Sequence, residues 1–278
     1  MAATAVARSA TAGPPPARPR RARRGITDRP LVWLLQAIPF VLLLGLWQLV
    51  ATRMGNPSVL PSPGEVFGAT RELLARGILP AAAQSSFTTL LIGTGTTVAL
   101  VLPSALLLAL NPRASALIQP MVQFISNVPA IALIPLFIVW FGFTQNAVYA
   151  TLVYTAAVPL LFSTMTGVQK IPQVYVNGLK PLGAGTLHTV RAVYLPGAVP
   201  GIVVGIRLAF SYGWRAVVAG ELIIGSGGLG EMLARARTVN QVDEIIAVMI
   251  VISILFLVID RLFLYPWEQV IASRWTSL

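Results

Sequence analysis

Long apolar runs alternate with short polar breaks rich in proline and glycine along this 278-residue chain. Residues 31–51 form the first run, about the twenty apolar residues needed to cross a hydrocarbon core of roughly 30 Å. A turn-rich stretch, 55–64, follows and ends in Ser62-Pro63, which suits a helix start with Glu65 in the first turn. Residues 65–77 then read as a short amphipathic helix, with Val66, Leu73 and Leu74 on its apolar side. Further spans are expected at 84–110, 115–141, 147–167, 197–224 and 244–264. The third is interrupted by Pro120, Pro129 and Pro135, each of which removes a backbone donor and kinks a helix. A polar insert covers about 168–196, and a glycine-rich loop with a basic segment, 231–237, separates the last two spans. In lipid only helices or closed barrels satisfy their own backbone, and no alternating ten-residue strands of a barrel occur. The fold expected is all-α and multi-pass, with about six transmembrane helices over 29–278.

Composition agrees with that class. Hydrophobic residues make up 56% and charged residues 10%, against about 25% charged in soluble domains. The chain has no cysteine, which removes disulfides, thiol catalysis and cysteine-zinc sites, and its single histidine, His188, cannot form a metal cluster alone. The net charge of +11 would suit nucleic acid, but its location argues otherwise. Seven basic residues (Arg8, Arg18, Arg20, Arg21, Arg23, Arg24 and Arg29) precede residue 30, as in a cytoplasmic anchor before a membrane helix. The paired arginines could open a twin-arginine signal. The apolar run behind them is too long for one and lacks an A-x-A cleavage site, so an uncleaved helix is expected. Residues 1–28, rich in Ala, Pro and Arg, read as a disordered cytoplasmic tail.

Six spans put both termini on one side of the membrane, and charge selects the side. With the N-terminus inside, the inner segments hold the seven tail residues plus Arg113, Lys170, Lys180, Arg191, Arg261 and Arg274. The outer segments hold Arg53, Arg71, Arg76, Arg235 and Arg237. The excess predicts cytoplasmic termini and a cytoplasmic insert.

The insert carries the most information. Lys170-Ile171-Pro172 ends the preceding span, since helices stop at or before the residue preceding proline. Residues 173–180 and 184–194, the second starting at Ala184, are expected to form two short helices bent at Pro181 and Gly183. Val190, Val193, Tyr194 and Leu195 offer an apolar ridge beside His188 and Arg191, closed by Pro196. Such a helix suits insertion into a partner's groove; the plainer alternative is a loop that only rejoins two spans.

Gly183 followed by Leu195-Pro196 resembles the EAA signature of the permeases of binding-protein-dependent ABC importers. The likeness extends to Leu60-Pro61-Ser62-Pro63 with Glu65-Val66, to 128–136 with Trp140-Phe141-Gly142, to 205–209 with Trp214 and Glu221, and to Gly228-Leu229-Gly230. These segments are similar to the sulfonate, taurine and nitrate permeases over roughly 30–275. The chain departs from the signature in one place, carrying Asn177-Gly178-Leu179 where the family usually has Glu-Ala-Ala. The resemblance implies a transport subunit that is not itself an enzyme. It implies that the insert is a coupling helix seated in an ATPase subunit, through Gly183, Ala184, His188, Arg191, Leu195 and Pro196. It further implies two ATPase subunits holding ATP and Mg, a second permease copy, likewise this chain, an extracytoplasmic solute-binding protein, and a small anionic cargo such as taurine, an aliphatic sulfonate or nitrate. The same machinery importing a thiamine precursor or other heterocycle remains open. An ion-driven secondary transporter would need internal repeats and mid-span acidic ion sites, which the sequence does not show.

Three further features need weighing. Residues 225–230 fit G-x-G-x-x-G but follow no strand, and no G-x-x-x-x-G-K-[ST] occurs, so neither a dinucleotide nor a P-loop nucleotide site is expected on this chain. In the fifth span, Arg207, Trp214 and Glu221 recur every seven residues and share one face at about 100° per residue, with Arg215 roughly 80° from Arg207. Ionisable groups in a span face either the bundle interior or a water-filled path, so these four line a substrate path or serve packing. The small-residue stretch 93–97 favours close helix approach.

Overall fold

A computed structural model describes residues 29–275 apart from Lys180 and Leu182. The tail expected over 1–28, and Lys180 of the inner charge set, lie outside the described residues. The chain divides into two units, Met1–Trp47 and Gln48–Leu278. The first span belongs to α1, Arg29–Met54, whose window Ala37–Met54 is long and apolar enough to cross a membrane.

In the second unit, α2 (Pro63–Ala75) begins on a capping box. Ser62 Oγ accepts from the Glu65 N–H at 3.3 Å, and the Glu65 carboxylate accepts from the Ser62 N–H at 2.6 Å. Two orphan donors of the first turn are thereby satisfied. Val66 and Leu73 of this helix are buried, whereas Leu74, expected on the apolar side, is exposed.

The second span, α3 (Ile78–Leu110), starts six residues before the sequence-read boundary of 84, because Ile78, Leu79 and the alanines after Pro80 extend it as helix. Asn111 then caps α4 (Pro112–Ser126), accepting from the N–H groups of Arg113 and Ala114. After the break comes α5 (Ala130–Phe141), bent by 91° from α4. Of the three prolines expected to kink this span, Pro120 and Pro135 stay inside helices and Pro129 alone stands at the break. Pro129 has no N–H for the Ile125 carbonyl. That oxygen accepts from the Val128 N–H at 3.0 Å instead, and the Tyr154 hydroxyl of a neighbouring helix lies 2.7 Å from it and 3.0 Å from the Val128 carbonyl.

Helices α6 (Gln145–Gln169) and α9 (Leu195–Ile224) form the centre of the unit. Glycines let them touch: a Cβ on Gly201 would stand 2.7 Å from the Gly167 Cα and 2.8 Å from the Ser163 carbonyl. On α3, Gly93 leaves room for Leu152 of α6, with Thr94 and Thr97 buried beside it, so these three residues of stretch 93–97 serve packing while Gly95 and Thr96 are exposed. The core gathers Leu90, Leu152, Leu160, Val217, Leu229 and Val248.

The loop after α9 folds into α10 (Gly228–Thr238), followed by α11 (Val242–Ile259) and α12 (Tyr265–Trp275). The last span therefore continues as helix beyond the expected end at 264. A π-helical turn, Asp260–Leu264, joins α11 to α12, with Tyr265 N–H bonded to the Asp260 carbonyl. Pro266 follows directly, so the widened turn absorbs a missing donor without ending the helix. Among the described residues five helices are long and apolar enough to span, and the bent pair α4–α5, counted as one span, brings the number to six. The protein is an all-α, multi-pass membrane protein.

Candidate coupling segment and transport face

The insert holds α7 (Gln173–Leu179) and then a turn in which Gly183 takes φ +73°. That left-handed conformation favours glycine, and it lets the Ala184 N–H reach the Leu179 carbonyl at 3.3 Å. Gly178 sits next to the end of α7, where its cost of about 1 kcal/mol in a helix interior is least felt.

The second insert helix is not separate from the fifth span. α8 (Thr186–Thr189), a π-helical turn (Val190–Tyr194) and α9 run on as one rod, Thr186–Ile224. The Leu195 N–H bonds the Val190 carbonyl, and Pro196 follows at the same spacing as Pro266 after the other π turn. The expected break at Pro196 is thus a local widening.

The ridge also turns differently from the sequence reading. Val190, Val193 and Tyr194 are half-buried, and Val193 faces a cavity with Ile171, Tyr175 and Pro196. The outward set is Leu187, 64% exposed, Leu195, 44% exposed, and the exposed His188 and Arg191. Leu187, Arg191 and Leu195 recur every four residues, a spacing present in the sequence that singles out Leu187. On α7, Val174 and Tyr175 are exposed as well.

In α9, Arg207, Trp214 and Glu221 each turn toward other helices of the same chain. Arg207 grips Asp260 with two parallel bonds, Nε–Oδ1 at 2.9 Å and Nη2–Oδ2 at 3.0 Å, and its Nη1 pairs with Glu268. Its guanidinium also lies over the Tyr265 ring at 5.2 Å. Trp214 is buried and stacks on Phe256 with ring centroids 6.1 Å apart. Glu221 is fully buried and accepts from Ser86 and from the Gly230 backbone. The heptad face read from sequence exists, and its partners are protein groups. Two of those partners, Asp260 and Ser86, lie far away in sequence and carry no local signal.

Arg215 differs. It is exposed, it lies over the Tyr212 ring at 5.5 Å, and among the described residues no carboxylate pairs with it. Tyr212 lines a cavity of about 400 Å³ at the α4–α5 break, together with Ser126, Tyr154 and Thr155. Toward the insert, a groove of about 610 Å³ between α6 and α9 is lined by Ser163, Thr166 and Lys170. Of these groups the sequence reading named only Arg215 for a substrate path; the hydroxyls of Ser126, Tyr154, Thr155, Ser163 and Thr166 were not singled out. Among the described residues no cluster of acidic or histidine side chains could hold a metal.

Residues 95–265 match the family described as the binding-protein-dependent transport system inner membrane component. The taurine transport system permease protein TauC of Escherichia coli (strain K12) is 28% identical over 224 residues, covering 78% of this chain and 82% of its own length. A putative aliphatic sulfonates transport permease of the same organism is 31% identical, covering 80% and 86%. The bicarbonate transport system permease protein CmpB of Synechococcus elongatus is 33% identical over 171 residues, covering 61% and 59%. The fold is similar to inward-facing conformations of the MetNI methionine ABC transporter, with a TM-score of 0.58 and 20% identity over 72% of this chain and 96% of that one. The family match takes in more than half of the chain, which is a membrane-spanning ABC importer permease belonging to the binding-protein-dependent transport system inner membrane component family.

Proposed function

We propose that the chain imports a small anion as one of two identical permease subunits, driven by two ATPase subunits that hold ATP and Mg. The ATPases dock on the cytoplasmic side at residues 170–196, with both permease termini on that side. A solute-binding protein delivers cargo to the outer segments near 55–80 and 225–243. The observation that carries this reading is the rod Thr186–Ile224, whose inner end bears the outward Leu187, His188, Arg191 and Leu195. A push on those side chains acts on the span itself, because helix runs unbroken from 186 to 224 through the π-helical turn.

The cargo follows from two supports. The relatives are named for taurine, aliphatic sulfonates and bicarbonate, each a small solute with a negatively charged sulfonate or carbonate group. The exposed Arg215, without a carboxylate partner among the described residues, supplies a cation that can pair with a sulfonate or similar oxyanion. Arg207 has its charge already matched by Asp260 and Glu268.

The test is mild-detergent purification of the tagged chain from its native membrane, with co-purifying proteins identified by mass. A nucleotide-binding ATPase recovered in equal amount is expected. A folded chain recovered without one contradicts the reading.

A further inference from the structure

The glycine-rich loop that ends α9 is shaped around one carboxylate. Glu221 Oε2 accepts from Ser86 Oγ at 2.7 Å and from the Gly230 N–H at 3.0 Å. Ser86 Oγ in turn accepts from the Leu229 N–H at 2.9 Å. A Cβ at Gly228 would collide with the Glu221 carboxyl group, and one at Gly230 with the Glu221 Cβ. Gly225, Gly227 and Gly228 all take left-handed φ values, so the loop can fold back over this side chain. This packing accounts for the G-x-G-x-x-G spacing without any nucleotide.

The first N–H groups of a helix need partners. α10 has no side-chain cap of its own. Its Leu229 and Gly230 donors go instead to Ser86 of α3 and Glu221 of α9. The outer helix α10 is therefore fastened to the rod near the rod's outer end. Glu221 lies 33 residues beyond His188 on one continuous helix, a span of about 50 Å at 1.5 Å per residue. The other face of α10 is open: Met232, Glu231 and Arg235 line a cavity of about 400 Å³ with Arg76 and Glu244.

The network is also lopsided. Both donors meet Oε2, while Oε1 is buried with no hydrogen-bond partner among the described residues. The Ser86 hydroxyl and the Gly230 N–H thus converge on one oxygen, which ties α3 and α10 to α9 through a single acceptor atom.

We infer that Glu221, with Ser86, is the positioning residue that carries a contact on α10 along the rod to the cytoplasmic docking segment. The inference rests on the proposed docking of a binding protein outside and an ATPase inside. Its basis is acceptor geometry rather than charge, since among the described residues no basic side chain pairs with Glu221.

The test uses the complete transporter in liposomes, with ATP hydrolysis measured with and without its binding protein and taurine as the probe. Glu221→Ala empties a buried position and risks misfolding, so Ser86→Ala is the informative variant. Ser86→Ala is expected to keep basal hydrolysis and lose stimulation by about fivefold, within the range for residues along a coupling network. Ser86→Thr and Glu221→Gln, which keep the hydroxyl and the acceptor oxygen, are expected to retain stimulation. A stimulated wild type with an equally stimulated Ser86→Ala overturns the inference alone, as does loss of stimulation in Glu221→Gln. A wild type that the binding protein does not stimulate overturns the proposed function, and the inference falls with it.

Discussion

Arg207 and Asp260 form a two-pronged ion pair across two helices, 2.9 and 3.0 Å, with the arginine side chain 29% and the aspartate 18% exposed. Because Glu268 meets the same guanidinium, α12 is fastened to the middle of the rod. Removing the arginine leaves two carboxylates facing each other. Arg207→Ala is expected to destabilise the protein by about 2 kcal/mol, below the roughly 3–5 of a fully buried pair. Thermal unfolding in detergent measures this, and adding Asp260→Asn and Glu268→Gln should recover most of the loss. A variant of normal stability with abolished uptake would instead assign Arg207 to the substrate path.

Arg215 gives the opposite expectation. Its side chain makes a ring contact and no ion pair among the described residues, so truncation leaves the fold intact. Arg215→Gln should leave thermal stability unchanged and lower anion uptake on the order of tenfold, the loss of one charge-assisted hydrogen bond. Arg215→Lys should retain part of it. Uptake assays with radiolabelled taurine decide, and unchanged uptake removes Arg215 from the path.

Gly183 tests the turn. A Cβ there meets nothing within 4 Å, so space is not the constraint; the φ of +73° is. Gly183→Asn should be tolerated, because asparagine visits this region, whereas Gly183→Val faces strain of roughly 1–3 kcal/mol. Valine is expected to reduce uptake while ATP hydrolysis persists and the chain remains in the membrane. Equal uptake in both variants would show that the turn conformation does not matter to coupling.

Much of this was readable from residue pattern. Apolar run length located the spans, and Ser62 with Glu65 marked the start of α2 because a capping box is wholly local. What escaped depends on distant partners. Pro120, Pro129 and Pro135 look alike in sequence, and Pro129 breaks the helix where Tyr154, 25 residues on, reaches the Ile125 and Val128 carbonyls. The seven-residue recurrence of Arg207, Trp214 and Glu221 fixed a face. The environment of that face was set by Asp260, Phe256 and Ser86 on other helices. Leu187 was legible at four-residue spacing from Arg191 and Leu195, but the expected helix break at Pro196 hid the register.

The central claim is that the outward face of the rod's inner end seats in an ATPase, and the absence of native cysteine permits a direct test. Single cysteines placed at Leu187, Arg191 and, as a control, the half-buried Val193 would be treated with a short crosslinker in native membranes. Adducts with a nucleotide-binding subunit are expected from positions 187 and 191 and not from 193. An ATPase that co-purifies with the chain yet crosslinks at neither 187 nor 191 would contradict the account.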